Sequence, residues 1–230
     1  QLMTDLISNG SRSRKILEPS AGKGIFLSCL VKKGFNDVTG IELDQSLQNE
    51  SSFPIIYQNF FDYPINQKYD IVIGNPPYIR WKNLPLDQRQ YFSSTSFWHK
   101  RMNGLTDILQ PFIFKSVDHL TQNGELIFIT PLFWMQTLHA EPLRRFLLEN
   151  GSIEIVINFH ESRIFPKANL NLIIFKYRKT RKDQPLRVIN YWQKRKLNPE
   201  ILERIRWLLL ESTSWKFDSS KDGNLEFFET

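Results

Sequence analysis

The stretch that covers residues 69–78 reads Tyr69-Asp70-Ile71-Val72-Ile73-Gly74-Asn75-Pro76-Pro77-Tyr78. Its apolar, β-branched part predicts a buried strand, and its polar part predicts a turn at the carboxyl end of that strand. Asn75 offers a carbonyl oxygen as an acceptor, Pro76 has no backbone N–H to compete for acceptors, and Tyr78 presents a flat ring. Together these groups would accept hydrogen bonds from a planar amino group and stack on the ring that carries it. The motif therefore favours a reaction promoted by orienting the substrate, without a strong base.

Short apolar runs alternate with helical patterns on both sides of this stretch. Because strands joined by helices run parallel, the pattern predicts an α/β fold with a mostly parallel seven-stranded sheet and helices on both faces. The last two strands have no helix between them, which predicts an antiparallel pair at one sheet edge. The predicted strands are Lys15–Pro19, Asp37–Leu43, Phe53–Asn59, Tyr69–Gly74, Gly124–Thr130, Ile153–Phe159 and Leu170–Tyr177, and the predicted helices are Gly24–Lys33, Asp107–Leu120 (with Asp107 as N-cap) and Glu141–Glu149. After Lys182 the pattern restarts with a strand-like Leu186–Trp192 and a helix Pro199–Leu210.

Composition narrows the class of protein. The chain has 230 residues, of which 41% are hydrophobic and 13% aromatic, as in a globular α/β domain. Its longest apolar runs are well short of the ~18–20 residues that a membrane span needs, so no membrane partner is expected. A single cysteine excludes an internal disulfide and fits the cytoplasm. The four histidines have no metal-ligand spacing, so no metal is expected.

Two turns at predicted strand ends favour a nucleoside-type cofactor. Glu18–Gly24 follows a strand and opens a helix, and its small residues let the backbone approach a ligand. An ordinary tight turn would explain this segment alone about as well. Gly40–Asp44 ends the next strand in acidic residues, where a carboxylate can bind both hydroxyls of a ribose. Ligands in such sheets bind beyond the carboxyl ends of the strands, so these turns and Asn75 are expected to face one crevice.

Other segments suggest a nucleic-acid substrate. The stretch Ile79–Gly104 lacks clear periodicity and is predicted as a long functional loop rich in basic and aromatic residues. Residues 176–206 carry 11 basic and 3 acidic side chains, with Tyr177, Tyr191 and Trp192 between them. This is the pattern of a phosphate-facing surface, although a solvated basic face without a partner is the competing interpretation.

In this order and spacing the motifs resemble one family, the gamma-class S-adenosylmethionine-dependent N6-adenine DNA methyltransferases of restriction–modification systems. The resemblance covers about residues 1–178, and Asn75–Tyr78 corresponds to the family's signature tetrapeptide. It implies a Rossmann-like class I methyltransferase fold, S-adenosylmethionine as cofactor and double-stranded DNA as partner. It also implies a catalytic domain at residues 1–182, with residues 183–230 as a basic extension toward a target-recognition domain outside this chain.

The resemblance assigns roles by position. Asn75, the Pro76 carbonyl and Tyr78 would act on the target amino group, and Tyr78 and Phe165 would stack the flipped base. The family usually has Asp where this chain has Asn59. Phosphate contacts are assigned to Arg80, Lys82, Lys100 and Arg101. The implied cofactor-binding residues are Glu18, Ser20, Ala21, Gly22, Glu42, Asn59, Phe60 and Phe112.

The sequence therefore predicts transfer of a methyl group to N6 of a flipped adenine in DNA. The main alternative is a protein glutamine N-methyltransferase of the release-factor type, because a glutamine amide is also a planar amino group. RNA adenine is a related alternative, and cytosine N4 is disfavoured by Asn rather than Ser at position 75. A degenerate domain that binds cofactor or DNA without turnover is the non-enzymatic alternative.

Overall fold

The computed structural model describes residues 1–95, 107–160, 162, 164, 170–180, 184–192, 199–210 and 225–229. Six α-helices and nine strands lie in this part of the chain. The helices are α1 (Leu2–Asp5), α2 (Ile25–Lys32), α3 (Leu86–Ser94), α4 (Leu109–Asp118), α5 (Glu141–Asn150) and α6 (Pro199–Leu210). The strands are β1 (Ile16–Glu18), β2 (Val38–Glu42), β3 (Ile55–Tyr57), β4 (Tyr69–Gly74), β5 (Leu120–Pro131), β6 (Ser152–Asn158), β7 (Leu172–Arg178), β8 (Arg187–Tyr191) and β9 (Leu225–Glu229).

All nine strands form one sheet in the order β3-β2-β1-β4-β5-β7-β6-β8-β9. The pairs from β3 to β5 are parallel, as is β6 with β8, whereas β7 is antiparallel to both of its neighbours and β9 is antiparallel to β8. The mostly parallel α/β fold predicted from the alternating pattern is therefore confirmed.

The run Ile71, Val72 and Ile73 of β4 is fully buried because both sheet faces are covered. Ile71 and Ile73 of β4 pack into a core beneath α1, α2 and α6, while Val72 packs into a second core beneath α4 and α5. Successive side chains of a strand point to opposite faces, so one short apolar run supplies both cores. The N-cap of α4 is Ile108 instead of the predicted Asp107, although the Asp107 carboxylate accepts a hydrogen bond from Leu109 N at 3.0 Å.

Two details of the predicted sheet are wrong. The described part of the chain has nine strands instead of seven, and the antiparallel pair β6–β7 is not at the edge. A strand at an edge exposes unpaired N–H and C=O groups, which another strand can satisfy. Here β8 pairs with β6 from Ile155–Arg187 to Asn158–Asn190, and β9 then covers β8. The role predicted for residues 183–230, an extension toward a recognition domain, stays a prediction.

The interpretation of residues 176–206 as a phosphate-facing surface is wrong for its first residues, whereas Arg181, Lys182 and the basic residues 194–196 lie outside the described residues. Tyr177 and Tyr191 are fully buried, and Lys176 is only 4% exposed. Arg178 forms ion pairs with Glu125 and Glu154 instead of presenting its charge to a phosphate. The reason is that alternate positions of β7 and β8 face covered sides of the sheet, where a cation must be paired. Of the three interleaved aromatics, only Trp192 is exposed.

Candidate cofactor and catalytic site

One large cavity of about 950 Å³ opens at the carboxyl ends of β1, β2, β3 and β4. It lies where the sheet order reverses, because β1 is flanked by β2 on one side and β4 on the other. Glu42 and Asn75 both line this single space. The eight residues predicted to bind a cofactor also line it: Glu18, Ser20, Ala21, Gly22, Glu42, Asn59, Phe60 and Phe112.

The turn after β1 is held by backbone geometry and by the neighbouring strands. Gly22 and Gly24 have positive φ angles of 54° and 83°, which L side chains rarely adopt. A Cβ on Gly24 would also lie 3.0 Å from atoms of Asn49 and Ser51. Gly22 N donates to Glu42 Oε2 at 2.7 Å, so the first turn and the acid at the end of β2 are tied together.

Glu18 is an ionisable group in an apolar setting. Its side chain is 1% exposed, and no described residue is hydrogen-bonded to its Oε2. Burial raises the pKa of the Glu18 carboxyl well above its usual range, and the nearby Glu42 adds to this, while a backbone bond from Leu27 opposes it. A buried acceptor without a donor is costly, so this wall of the cavity favours a ligand that brings a positive or donor group.

An aromatic wall formed by Phe60, Phe61 and Phe112 also lines the cavity. The rings of Phe60 and Phe112 have centroids 4.7 Å apart, and Phe61 meets the Phe112 ring edge-on at 5.6 Å. Asn59 Oδ1 accepts a hydrogen bond from Phe61 N at 3.0 Å and so caps the 3-10 turn Phe60–Asp62. The resemblance assigns the Asn59 side-chain oxygen to the adenine amino group of the cofactor. One lone pair of that oxygen is already used by the hydrogen bond within the turn.

Lys115 holds this aromatic wall in place, and the sequence did not single it out. Its ammonium on α4 donates to Phe61 O at 2.6 Å and Tyr63 O at 2.8 Å, and lies 5.4 Å from the Phe60 ring centroid. Burial lowers the pKa of Lys115 to about 8. A lysine in an apolar helix suggests burial with backbone partners, but only the folded chain shows which carbonyls it reaches.

The motif Asn75–Tyr78 is anchored to both neighbours of β4. Ser20 Oγ donates to Asn75 O at 2.9 Å, and the Tyr78 hydroxyl contacts Asn75 Oδ1 and lies 2.5 Å from Ile129 O. Burial raises the pKa of Tyr78, so its hydroxyl stays protonated and donates. Asn75 and Pro77 line the cavity, whereas Pro76 and Tyr78 are not part of its lining.

The predicted loop Ile79–Gly104 contains a helix. In α3, the residues Asp87, Gln88, Tyr91 and Phe92 line the cavity. Its only buried side chain is Phe92, which is why no apolar stripe was visible in the sequence. Pro85 followed by Asp87 is a helix-start signal that could have revealed it.

The predicted phosphate contacts are only partly within the described residues. Arg80 and Lys82 are exposed, and the backbone of Arg80 forms an isolated antiparallel β-bridge with that of Asp107. Burial raises the pKa of Asp107 to about 6, against the opposing effects of backbone hydrogen bonds from Leu109 and Gln110 and of the Arg80 charge. Lys100, Arg101 and the predicted stacking residue Phe165 lie outside the described residues.

The described residues give two further findings. None of the described helices is long and apolar enough to cross a membrane. Within the same residues, no three His, Cys, Asp or Glu side chains are grouped to hold a metal ion.

Solved structures place this architecture among known folds. The chain superposes with a TM-score of 0.71 on a type I restriction-modification system methyltransferase subunit of Streptococcus thermophilus, at 18% identity over 91% of this chain and 51% of that one. A Listeria monocytogenes protein described as a class I S-adenosylmethionine-dependent methyltransferase gives a TM-score of 0.68 at 18% identity, over 91% and 67% of the two chains. The fold is therefore the predicted class I methyltransferase fold.

Curated relatives match the sequence itself. The Type II methyltransferase M.HincII of Haemophilus influenzae is 38% identical over 196 residues, which cover 85% of this chain and 38% of that protein. M.TthHB8I of Thermus thermophilus, also a Type II methyltransferase, is 25% identical over 97% of this chain and 50% of its own. The chain thus spans about two fifths of the first relative and half of the second. Residues 23–165 match the Eco57I restriction-modification methylase description. The chain belongs to the Eco57I restriction-modification methylase family.

Proposed function

We propose that this chain is the catalytic part of a DNA methyltransferase of a restriction–modification system, which transfers a methyl group from S-adenosylmethionine to N6 of adenine. The observation that carries the proposal is the single cavity that Glu42 and Asn75 share. A cofactor site and an amino-group acceptor must open onto one space for transfer to occur. The family match and the Type II methyltransferase relatives support the same reaction class.

The residues of the cavity fit S-adenosylmethionine. The partnerless Glu18 oxygen suits a cationic ammonium, and Glu42 at the end of β2 suits ribose hydroxyls. Phe60 and Phe112 offer apolar ring faces to an adenine. Gly22 lets the backbone approach the ligand, because a side chain there is absent and its positive φ suits glycine.

In the proposed reaction the protein contributes position and electrostatics. When bound, S-adenosylmethionine supplies a methyl group on a positively charged sulfur. Asn75 Oδ1 and the Pro76 carbonyl would accept hydrogen bonds from the adenine amino group. These bonds would free the nitrogen lone pair from conjugation with the ring and orient it toward the methyl group. The Tyr78 hydroxyl at Asn75 Oδ1 supports this role, since it holds the amide and leaves the oxygen a second lone pair.

The adenine would have to leave the duplex to reach this cavity. Flipping costs about a few kcal/mol, and stacking on Tyr78 and Phe165 would offset ~1–3 kcal/mol of it. Arg80, Lys82, Lys100 and Arg101 would contact phosphates. Residues 1–182 would form the catalytic unit, and a target-recognition part outside this chain would select the DNA sequence. Such an enzyme would act in the prokaryotic cytoplasm.

Product analysis tests this function. The protein is incubated with methyl-labelled S-adenosylmethionine and DNA from a methylase-deficient bacterial host, and the digested nucleosides are separated by mass spectrometry. Labelled N6-methyladenine is the expected product. Parallel reactions with RNA and with a release-factor peptide that contains glutamine cover the alternatives. Label in N4-methylcytosine, in RNA or in the peptide alone would refute the proposed substrate. The absence of both S-adenosylmethionine binding and transfer to any acceptor would refute the activity.

A further inference from the structure

A stacked aromatic pair lies outside the cavity, at the carboxyl ends of β6 and β8. The rings of His160 and Trp192 have centroids 3.5 Å apart and planes 18° apart. Trp192 is 52% exposed, whereas the other two aromatics of its segment are buried. The outer face of its indole is thus presented to solvent on a ring that is already supported from behind.

The pair is built by the ends of the two strands. Asn158 and Asn190 are register partners in the parallel pair β6–β8. Asn158 Oδ1 accepts from His160 N at 3.0 Å, and His160 Nε2–H donates to Asn190 Oδ1 at 3.2 Å. His160 has a φ of 45°, a left-handed conformation that costs free energy in a non-glycine residue. Two asparagines and a strained residue therefore fix the orientation of one ring.

The pair lies at the same end of the sheet as the cavity, where the parallel strands have their carboxyl ends. β6 and β8 run parallel to β4, because β7 is antiparallel to both β5 and β6. β8 lies four strand spacings from β4 in the sheet order, or about 19 Å at roughly 4.8 Å each. A DNA strand covers that distance in about six nucleotides at ~3.4 Å each. One short duplex could therefore meet both places.

Charge in the adjacent sequence favours a polyanion. The segments that follow the two rings in sequence, 161–169 and 193–198, contain five basic residues and one acidic residue. Flat aromatic faces combined with basic residues are the usual means of binding a nucleic-acid strand. An apolar protein partner would gain nothing from this charge.

We propose that the His160–Trp192 pair is a second DNA contact of the enzyme, in which a nucleotide lies on the exposed face of the Trp192 indole. That the bound polymer is DNA rests on the proposed function. The contact would position the duplex without touching the reacting groups, so it belongs to DNA affinity and not to the chemical step.

The test compares two tryptophans of similar exposure. Trp192→Ala is expected to weaken binding of a fluorescein-labelled mixed-sequence duplex about fivefold to a hundredfold by anisotropy. Trp207→Ala on α6, where the wild-type ring is 46% exposed, is the matched control and should bind normally. The slope of affinity against salt should be unchanged in Trp192→Ala, because an indole neutralises no phosphate.

A second variant tests the supporting ring. His160→Asn removes the imidazole but tolerates the left-handed backbone, and it should weaken DNA binding in the same direction as Trp192→Ala. Equal DNA affinity of Trp192→Ala and wild type would overturn the proposal, as would an equal loss in Trp207→Ala. A lower melting temperature with unchanged DNA affinity would also overturn it, because the ring would then be covered by protein. Methyl transfer by the wild type to DNA at saturation is measured separately and reports only on the proposed function.

Discussion

The Asn75 residue is held from two sides. Its backbone oxygen accepts from Ser20 Oγ, and its side-chain oxygen is in contact with the Tyr78 hydroxyl. Tyr78 also reaches Ile129 O, so the turn keeps an anchor on β5 even without the Asn75 side chain. The amide can therefore be removed with little damage to the surrounding fold.

Asn75→Ala is expected to lose about a hundredfold to a thousandfold in kcat, because the acceptor that orients the amino group is gone. Binding of S-adenosylmethionine, measured by calorimetry, should stay at the wild-type level. Asn83→Ala, at an exposed asparagine in the 3-10 turn Trp81–Asn83, is the control. Normal turnover of Asn75→Ala would remove this residue from the mechanism.

Lys115 acts on the cavity through the turn that it binds. Lys115→Met keeps the length of the side chain but leaves Phe61 O and Tyr63 O without their donor. We expect the variant to lose ~1–3 kcal/mol of stability, since an unsatisfied buried acceptor costs about that much. Affinity for S-adenosylmethionine should fall as well, because Phe60 and Phe61 lose their support.

Lys68→Met is the matched control for Lys115→Met. Lys68 is exposed and donates to a single carbonyl, Asp118 O, at 2.7 Å. Denaturant unfolding and cofactor titration should both separate the two variants. Equal cofactor affinity in Lys115→Met and wild type would show that the turn does not need this clamp.

At the scale of elements, the connection between β3 and β4 is packed onto the junction of α4 and β5. His119 at that junction is fully buried, and its Nδ1–H donates to Gln67 O at 2.8 Å. Its ring lies against Phe60 and Tyr63, both at 5.5 Å between centroids. Burial lowers the pKa of His119 to about 4, with smaller contributions from Lys115 and Lys68.

This shift makes the junction sensitive to acid. Between pH 6.5 and 4 the unfolded chain binds a proton at this histidine and the folded chain does not, so stability falls as the pH falls. The loss attributable to His119 is about 3 kcal/mol by pH 4. His119→Phe should have a flatter profile of unfolding free energy over that range than the wild type. Parallel wild-type and His119→Phe profiles would contradict this assignment.

At the scale of the whole molecule, an ionic network joins the N-terminal segment to the sheet at the end of the strands opposite the cavity. Glu125 lies 3.1 Å from Arg178 and 3.5 Å from Lys176, and its Oε2 accepts from Ser8 N at 3.1 Å. These cations hold the pKa of Glu125 below its usual value despite burial. The network ties residues that are more than 100 positions apart in the chain.

Glu125→Gln is expected to destabilise the protein by up to about 3 kcal/mol, because the buried Lys176 would lose one counter-charge and keep Glu154 as its remaining one within the described network. Glu141→Gln removes an exposed ion pair with Arg145 and should cost less than about 0.5 kcal/mol. Urea unfolding of the two variants measures the difference. Similar midpoints for both would mean that the network contributes no more than a surface pair.

Much of the cavity could be predicted from the sequence. Glu18, Glu42, Asn59 and Asn75 each follow an apolar run, and the carboxyl ends of parallel strands meet at one edge. That geometric rule converts the order of motifs into proximity. Helix α3 escaped prediction because it buries one residue and has no apolar stripe.

The sequence by itself determined the class of fold and the strand-end residues of the cavity, because strand and helix periods and strand-end motifs are local properties. Only the tertiary structure decided that β8 and β9 extend the sheet, that Lys115 clamps a distant turn, and that Tyr177 and Tyr191 are buried while Trp192 is exposed. These features depend on which surfaces pack together across long separations in the chain. An apolar pattern along the sequence indicates that a strand is covered, but it does not say which distant segment of the chain will cover each side.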